Sequence, residues 1–115
     1  MPCRRGQVVL VLFPDSNLKT AKRRPALVVQ ADGLRTGLPQ TIVAMITSNL
    51  ARAGHPSRVL VSVLAPEGRH SGLRMDSVIM TDNLATVFET EIVQTIGDWP
   101  SMAAIDAALR TTFGL

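Results

Sequence analysis

Four short stretches hold side chains whose types could do chemistry: Arg24-Pro25 behind Lys22 and Arg23, Thr47-Ser48-Asn49, Asp76-Ser77, and Asp82-Asn83. Between them they offer guanidinium, hydroxyl, amide and carboxylate groups. An arginine fork stays cationic and can bind two oxygens of one phosphate at once. No Gly-rich phosphate loop, nucleophile elbow or His-Glu metal helix is present. The single cysteine, Cys3, excludes an internal disulfide and a multi-cysteine metal cluster. His55 and His70 lack zinc spacing and have no cysteine partners nearby. No metal and no cofactor is expected, so any catalysis must run on the groups above.

The charge around Arg24 is unusually dense. In the stretch KTAKRRPALVVQ (19–30), Lys19, Lys22, Arg23 and Arg24 stand in front of an apolar run. Through residue 60 nine Lys and Arg face only Asp15 and Asp32, whereas from residue 61 three face seven Asp and Glu. A basic first half points to contact with a polyanion, against the plainer reading of a solvated basic loop.

The elements that must position these groups are short. With 115 residues, 46% hydrophobic and 18% charged, the chain is expected to form one folded domain over 1–115 rather than a disordered segment. Val8 to Phe13 is too short for a signal-peptide core, and no run is long enough to span a bilayer, so a cytoplasmic protein without membrane contact is expected. Apolar, β-branched runs predict strands at Gln7–Phe13, Pro25–Gln30, Thr41–Thr47, Arg58–Leu64, Ser77–Met80 and Glu91–Ile96. The first stops at Pro14-Asp15-Ser16-Asn17. Ser48–Ser57 and Ala65–Arg74 read as loops, the former with at most a helical turn. From Ser101, a plausible N-cap, the positions Met102, Ile105, Ala108, Leu109 and Phe113 follow helical spacing, and Gly114 supplies a stop. Strands followed by one terminal helix predict a small, strongly twisted antiparallel sheet or partly open barrel with the helix across one end.

Four strings in register, RRGQVVLVLF, KRRPALVVQ, TIVAMITSN and GLRMDSVIMTDNLATV, resemble the MazF/PemK toxins of type II toxin–antitoxin pairs over nearly the whole chain. The resemblance implies an SH3-like, CcdB/PemK-type barrel with a C-terminal helix, which agrees with the element reading. It also implies a homodimer that cleaves single-stranded RNA sequence-specifically and without a metal, and that is neutralised by a cognate antitoxin. RNA brings its own nucleophile: the 2′-hydroxyl attacks the adjacent phosphate and expels the 5′-oxygen. The protein must orient that attack, move two protons and stabilise charge on the phosphorane.

By the same resemblance Arg24 is the active-site arginine before proline, Thr47 the strand-end threonine, and Asp82 the acidic position that serves as general acid or base. Lys22, Arg23, Ser48, Asn49, Arg52 and Asn83 are expected to contact RNA around them, and Arg58, Arg69 and Arg74 are further cations for the backbone. Three positions depart from the pattern. Met80 stands where PemK-type members have an arginine two residues before the acid, Gln7 replaces an acidic residue, and Ala85 replaces an arginine before Thr86. Met80 keeps open a non-catalytic alternative, a toxin-fold protein that binds gyrase or only its antitoxin. Asp76-Ser77 reads as a structural turn, and the loop histidines as bystanders. Phe13 and Phe113 are expected in the core.

Overall fold

The computed structural model describes residues 3–14, 17 and 19–115; Asp15 and Ser16 of the expected first stop lie outside them. Six strands form: β1 (Gln7–Pro14), β2 (Ala21–Val28), β3 (Gln40–Thr47), β4 (Arg58–Val61), β5 (Ser77–Phe88) and β6 (Ile92–Asp98). They make one sheet in the order β4-β5-β3-β2-β1-β6, antiparallel at every junction. Successive hairpins build β1, β2 and β3; β5 then adds beyond β3, and β6 returns across the sheet to pair with β1. The sheet does not close, so the expected barrel is an open, barrel-like sheet with β4 and β6 at its edges.

Side chains alternate across a strand, so a strand buried on both faces has a continuous apolar sequence. That is why β1 and β3 read without alternation. Val8, Leu27, Ala44, Ile46 and Ile79 join one cluster, and Val9, Val11, Ala26, Val28, Val43 and Met45 join another on the opposite face. Helix α2 (Met102–Phe113) covers the first cluster with Ile105 and Ala108, both buried, and Trp99 packs beside them. Complete burial of a side chain the size of Ile105 stabilises by about 1.5–3 kcal/mol. Gly114 ends the helix in the left-handed region (φ 69°), its N–H donating to the carbonyls of Arg110 and Thr111. Ser101 stands at the N-cap position but its side chain caps nothing. Phe113 departs from expectation and is exposed, because the helix runs past the edge of the core there.

Arg5 ties the chain's beginning to this helix. Its Nη2 meets Asp106 Oδ1 at 2.6 Å, and its Nε donates to the Val29 carbonyl at 2.9 Å. Among the described residues no helix is long and apolar enough to cross a membrane.

Four differences from the sequence reading are the largest; the ends of β1, β3 and β6 also shift by one or two residues. β2 starts at Ala21, so Lys22, Arg23 and Arg24 lie on the strand, opposite Phe13, Leu12 and Val11 of β1, instead of in a loop before it. β4 ends at Val61. The segment expected as loop over 65–74 contains a short helix, α1 (Pro66–His70), whose Pro sits in its first turn. The strand expected at Ser77–Met80 runs on to Phe88 as β5, interrupted by a bulge. Met80 pairs with Met45 and Leu84 with Ala44, so Thr81, Asp82 and Asn83 are extra.

Candidate active site

A groove of about 1040 Å³ opens along the ends of β2, β3 and β5. Arg23 and Arg24 reach it from β2, Thr47 and Ser48 from the end of β3, Asp82 and Asn83 from the β5 bulge, and Arg52 from a 3₁₀ turn at Leu50–Arg52. Of the residues expected to act on RNA, Lys22, Asn49 and the further backbone cations Arg58 and Arg69 are outside its lining. Lys22 sits one step farther along β2, opposite Phe13. Asn49 is turned to local work: its Oδ1 caps the 3₁₀ turn by accepting from the Ala51 N–H at 3.2 Å.

The bulge explains how a strand offers a carboxylate and an amide side by side. A regular strand would send Asp82 and Asn83 to opposite faces; extra residues break the ladder and re-aim side chains. This one is anchored from below. Thr81 is fully buried, its Oγ1 donates to the Ser57 carbonyl at 2.6 Å, and it lies 2.8 Å from Thr112 Oγ1 on α2. The turn before β4 and the helix therefore fix the height of Asp82 and Asn83.

Thr47 has a defined polarity. Its Oγ1 accepts from the Asn49 backbone N–H at 3.1 Å, which leaves the hydroxyl proton to donate elsewhere. Among the described residues lining the groove, Asp82 is the one carboxylate, beside Arg23, Arg24, Arg52 and Arg74. Arg58 faces it from β4, donating Nε–H to Oδ1 at 3.3 Å and Nη2–H to Oδ2 at 2.8 Å. These hydrogen bonds hold the Asp82 carboxyl below its usual range, with the charges of Arg58 and His55 acting in the same direction. Asp82 is thus an anion near neutral pH and cannot donate a proton there.

The opposite wall runs from Gly72 to Met75. Gly72 has φ +73°, and a Cβ on it would lie 2.0 Å from the Ile96 carbonyl oxygen of β6, so only glycine allows this close approach. Asp76 Oδ1 accepts from the Val63 N–H at 2.9 Å and Ser77 Oγ donates to the Met75 carbonyl at 2.8 Å, the structural parts expected of that pair. The wall thereby presents Arg74 and Met75 on a fixed backbone. The groove floor is apolar, formed by Leu10, Pro25, Met45, Met80 and Ile96, a surface on which a base could rest.

His55 is engaged nearby: its Nδ1 accepts from the Ser57 N–H at 3.1 Å. Neither histidine lines the groove. Among the described residues no group of three or more His, Cys, Asp or Glu side chains could hold a metal ion. Cys3 lies away from the groove, half-buried, its thiol pushed up by burial and by Glu89. Sequence reasoning missed Arg58 as the partner of Asp82, and also Met75 and Gln94 in the lining. The alternation in RVLV placed Arg58 on a definite face, but which residue it met depended on the pairing of β4 with β5.

A cationic groove at strand ends, with a hydroxyl and a carboxylate inside it, sits on a small, mostly β domain closed by one helix. Residues 4–113 match the family described as the PemK-like, MazF-like toxin of type II toxin-antitoxin systems. The endoribonuclease MazF6 of Mycobacterium tuberculosis is 34% identical over 107 residues, covering 90% of each chain. Endoribonuclease EndoA of Bacillus subtilis is 29% identical over 118 residues, covering 100% of this chain and 97% of its own. In fold, the chain is similar to a mycobacterial endoribonuclease solved in complex with its cognate antitoxin, with a TM-score of 0.76 at 22% identity over 99% of this chain and 97% of that one. It is likewise similar to the M. tuberculosis toxin MazF-mt6, with a TM-score of 0.72 at 24% identity over 95% and 97% of the two chains. The chain belongs to the PemK-like, MazF-like toxin family of type II toxin–antitoxin systems.

Proposed function

We propose that this chain is a toxin endoribonuclease that cleaves single-stranded RNA in the cytoplasm, sequence-specifically and without a metal, as one half of a homodimer restrained by a cognate antitoxin. The observation that supports it best is the meeting of Arg24, Thr47 and Asp82 in one groove from three different strands. The curated relatives named endoribonucleases point the same way.

In this reading the scissile phosphate lies against Arg24, whose guanidinium neutralises charge developing on the phosphorane. Thr47, with its acceptor side already used by Asn49, donates its hydroxyl proton to a non-bridging phosphate oxygen. The 2′-oxygen attacks phosphorus and the bond to the 5′-oxygen breaks. The ionised Asp82 is on the accepting side of the two proton transfers, taking the 2′-hydroxyl proton directly or through water, and the leaving 5′-oxygen is protonated by another group or by water. The products are a 2′,3′-cyclic phosphate and a 5′-hydroxyl. Arg23, Ser48, Arg52 and Asn83 hold flanking phosphates and base edges, and Lys22 and Asn49 act from the groove's margin. The antitoxin competes for the same cationic groove with an acidic or amphipathic segment.

The test is incubation of purified protein with a long single-stranded RNA in EDTA, beside Arg24→Ala, with both product ends mapped. Discrete cuts leaving 5′-hydroxyl ends, absent in the variant, are expected. Intact RNA from folded protein at high concentration would overturn the reading in favour of a non-catalytic toxin fold.

A further inference from the structure

Arg58 is absorbed by none of these roles, although it touches two parts of the groove. Two of its N–H groups grip Asp82, and a third, on Nη1, donates to the Arg52 carbonyl at 3.1 Å. One guanidinium therefore joins edge strand β4, the β5 bulge and the 3₁₀ turn that carries Arg52. A fork of this kind fixes direction as well as distance, because the donors of a guanidinium are coplanar. Lysine, a single point with a rotating head, could not hold a carboxylate and a carbonyl in one plane.

We propose that Arg58 is a positioning residue for RNA cleavage: it sets the carboxylate of Asp82 and the turn bearing Arg52 as one rigid wall of the groove. This rests on the endoribonuclease reading. Arg58 itself sits on the same sheet row as Met80, its direct partner across β4 and β5, and Met80 is in turn the partner of Met45. Arg58 from β4 and His55 from the preceding turn act on Asp82, and Arg23 and Arg24 from β2, Arg52 from the 3₁₀ turn and Arg74 line the same groove. The arginines stay cationic, so removing Arg58 weakens the direct clamp without reversing the field around Asp82.

The experiment is a cycle of Arg58→Met, Asp82→Asn and the double variant, with Arg58→Lys alongside. It reads kcat and KM on a short RNA oligonucleotide from pH 5 to 9, with thermal midpoints recorded first. Loss of charged hydrogen bonds predicts a fall in kcat of roughly 10- to 100-fold for Arg58→Met, and nearly as much for Arg58→Lys. The acid limb of kcat/KM should move to higher pH in Arg58→Met, because Asp82 loses the donors that favour its anion. In the Asp82→Asn background Arg58→Met should change kcat little. An equal loss with and without Asp82 would overturn the proposal, since Arg58 would then act directly on RNA. Wild-type kcat in Arg58→Met would overturn it too. Should Arg58→Met fail to fold, the lysine variant reads the same cycle. If the wild type cuts no RNA, the endoribonuclease reading fails by itself. NMR titration of the Asp82 carboxyl then still tests the clamp, with an upward shift in Arg58→Met expected and an unchanged titration overturning it.

Discussion

Two arginine–aspartate pairs in this molecule are built alike and serve different ends. Arg5 and Asp106 meet at 2.6 Å, Arg58 and Asp82 at 2.8 Å, and the side chains are exposed to similar degrees. Each arginine also binds one backbone carbonyl, Val29 in the first case and Arg52 in the second. What separates them is where the carboxylate stands. Asp106 is on α2, and its pair closes the chain's start onto its last helix. Asp82 is on a bulge inside a groove of cations, and in the proposed reading its pair shapes the surface that cleaves RNA. Partly exposed ion pairs add little to stability wherever they occur, so location decides what each is for.

The largest effect on cleavage should come from removing a groove cation that belongs to neither pair. Arg24→Ala should lower cleavage by about 100- to 1000-fold, the usual loss when a donor to transition-state charge is deleted. Arg24 is exposed on the strand, so the thermal midpoint should change by an amount equal to about 1 kcal/mol or less. A comparable loss of stability and activity together would mean that Arg24 supports the fold. Thr47→Val keeps the β-branched shape and deletes the hydroxyl. A fall in kcat of roughly 10- to 30-fold is expected, with KM nearly unchanged if the hydroxyl donates mainly in the transition state.

How far these roles could be read beforehand depended on how local their causes were. β1, β3 and α2 were legible because unbroken apolar runs and helical spacing are properties of the segment itself. The start of β2 was not. Lys22, Arg23 and Arg24 have no strong preference for a strand, and they adopt one because Val11, Leu12 and Phe13 pair with them. The polar run Thr81-Asp82-Asn83 looked like the end of a strand, whereas it is a bulge held by Ser57 and Thr112. The short helix α1 did leave a signal, Pro66 followed by Glu67, which Gly68 and Gly72 obscured. Those glycines are required by contact: Gly68 packs on the Ser62 carbonyl and Gly72 on that of Ile96. Arg24, Thr47 and Asp82 were found through the family pattern. Arg58 could not be, because its partner is 24 residues away and only the β4–β5 register brings them together.

The structural pair gives a smaller effect. Arg5→Met should cost about 1 kcal/mol in urea unfolding, through the ion pair and the bond to the Val29 carbonyl. Its kcat should stay within about twofold of wild type, because the groups its side chain bonds, Asp106 and the Val29 carbonyl, do not line the groove. A large loss of cleavage in Arg5→Met would erase the distinction between the pairs.

The smallest effect is the pH dependence of stability that Asp82 contributes. Its carboxyl is held below the usual 3.8 in the folded protein, first by hydrogen bonds from Arg58. A group whose folded pKa is depressed stabilises the fold above its unfolded value, and that contribution disappears as the pH falls through the folded value. The stability gap between wild type and Asp82→Asn should therefore be constant from neutral pH down to about 5, then close as the pH drops below the ordinary carboxylate range. Because both partners are partly exposed, the gap is small and shrinks further with salt. Urea unfolding of the two proteins at closely spaced pH values, in low and high salt, reads it directly. If both lose stability in parallel through pH 3, the Arg58–Asp82 pair adds nothing to folding. Its bonds would then matter only for the geometry of the groove, the sharpest form of the contrast with Arg5 and Asp106.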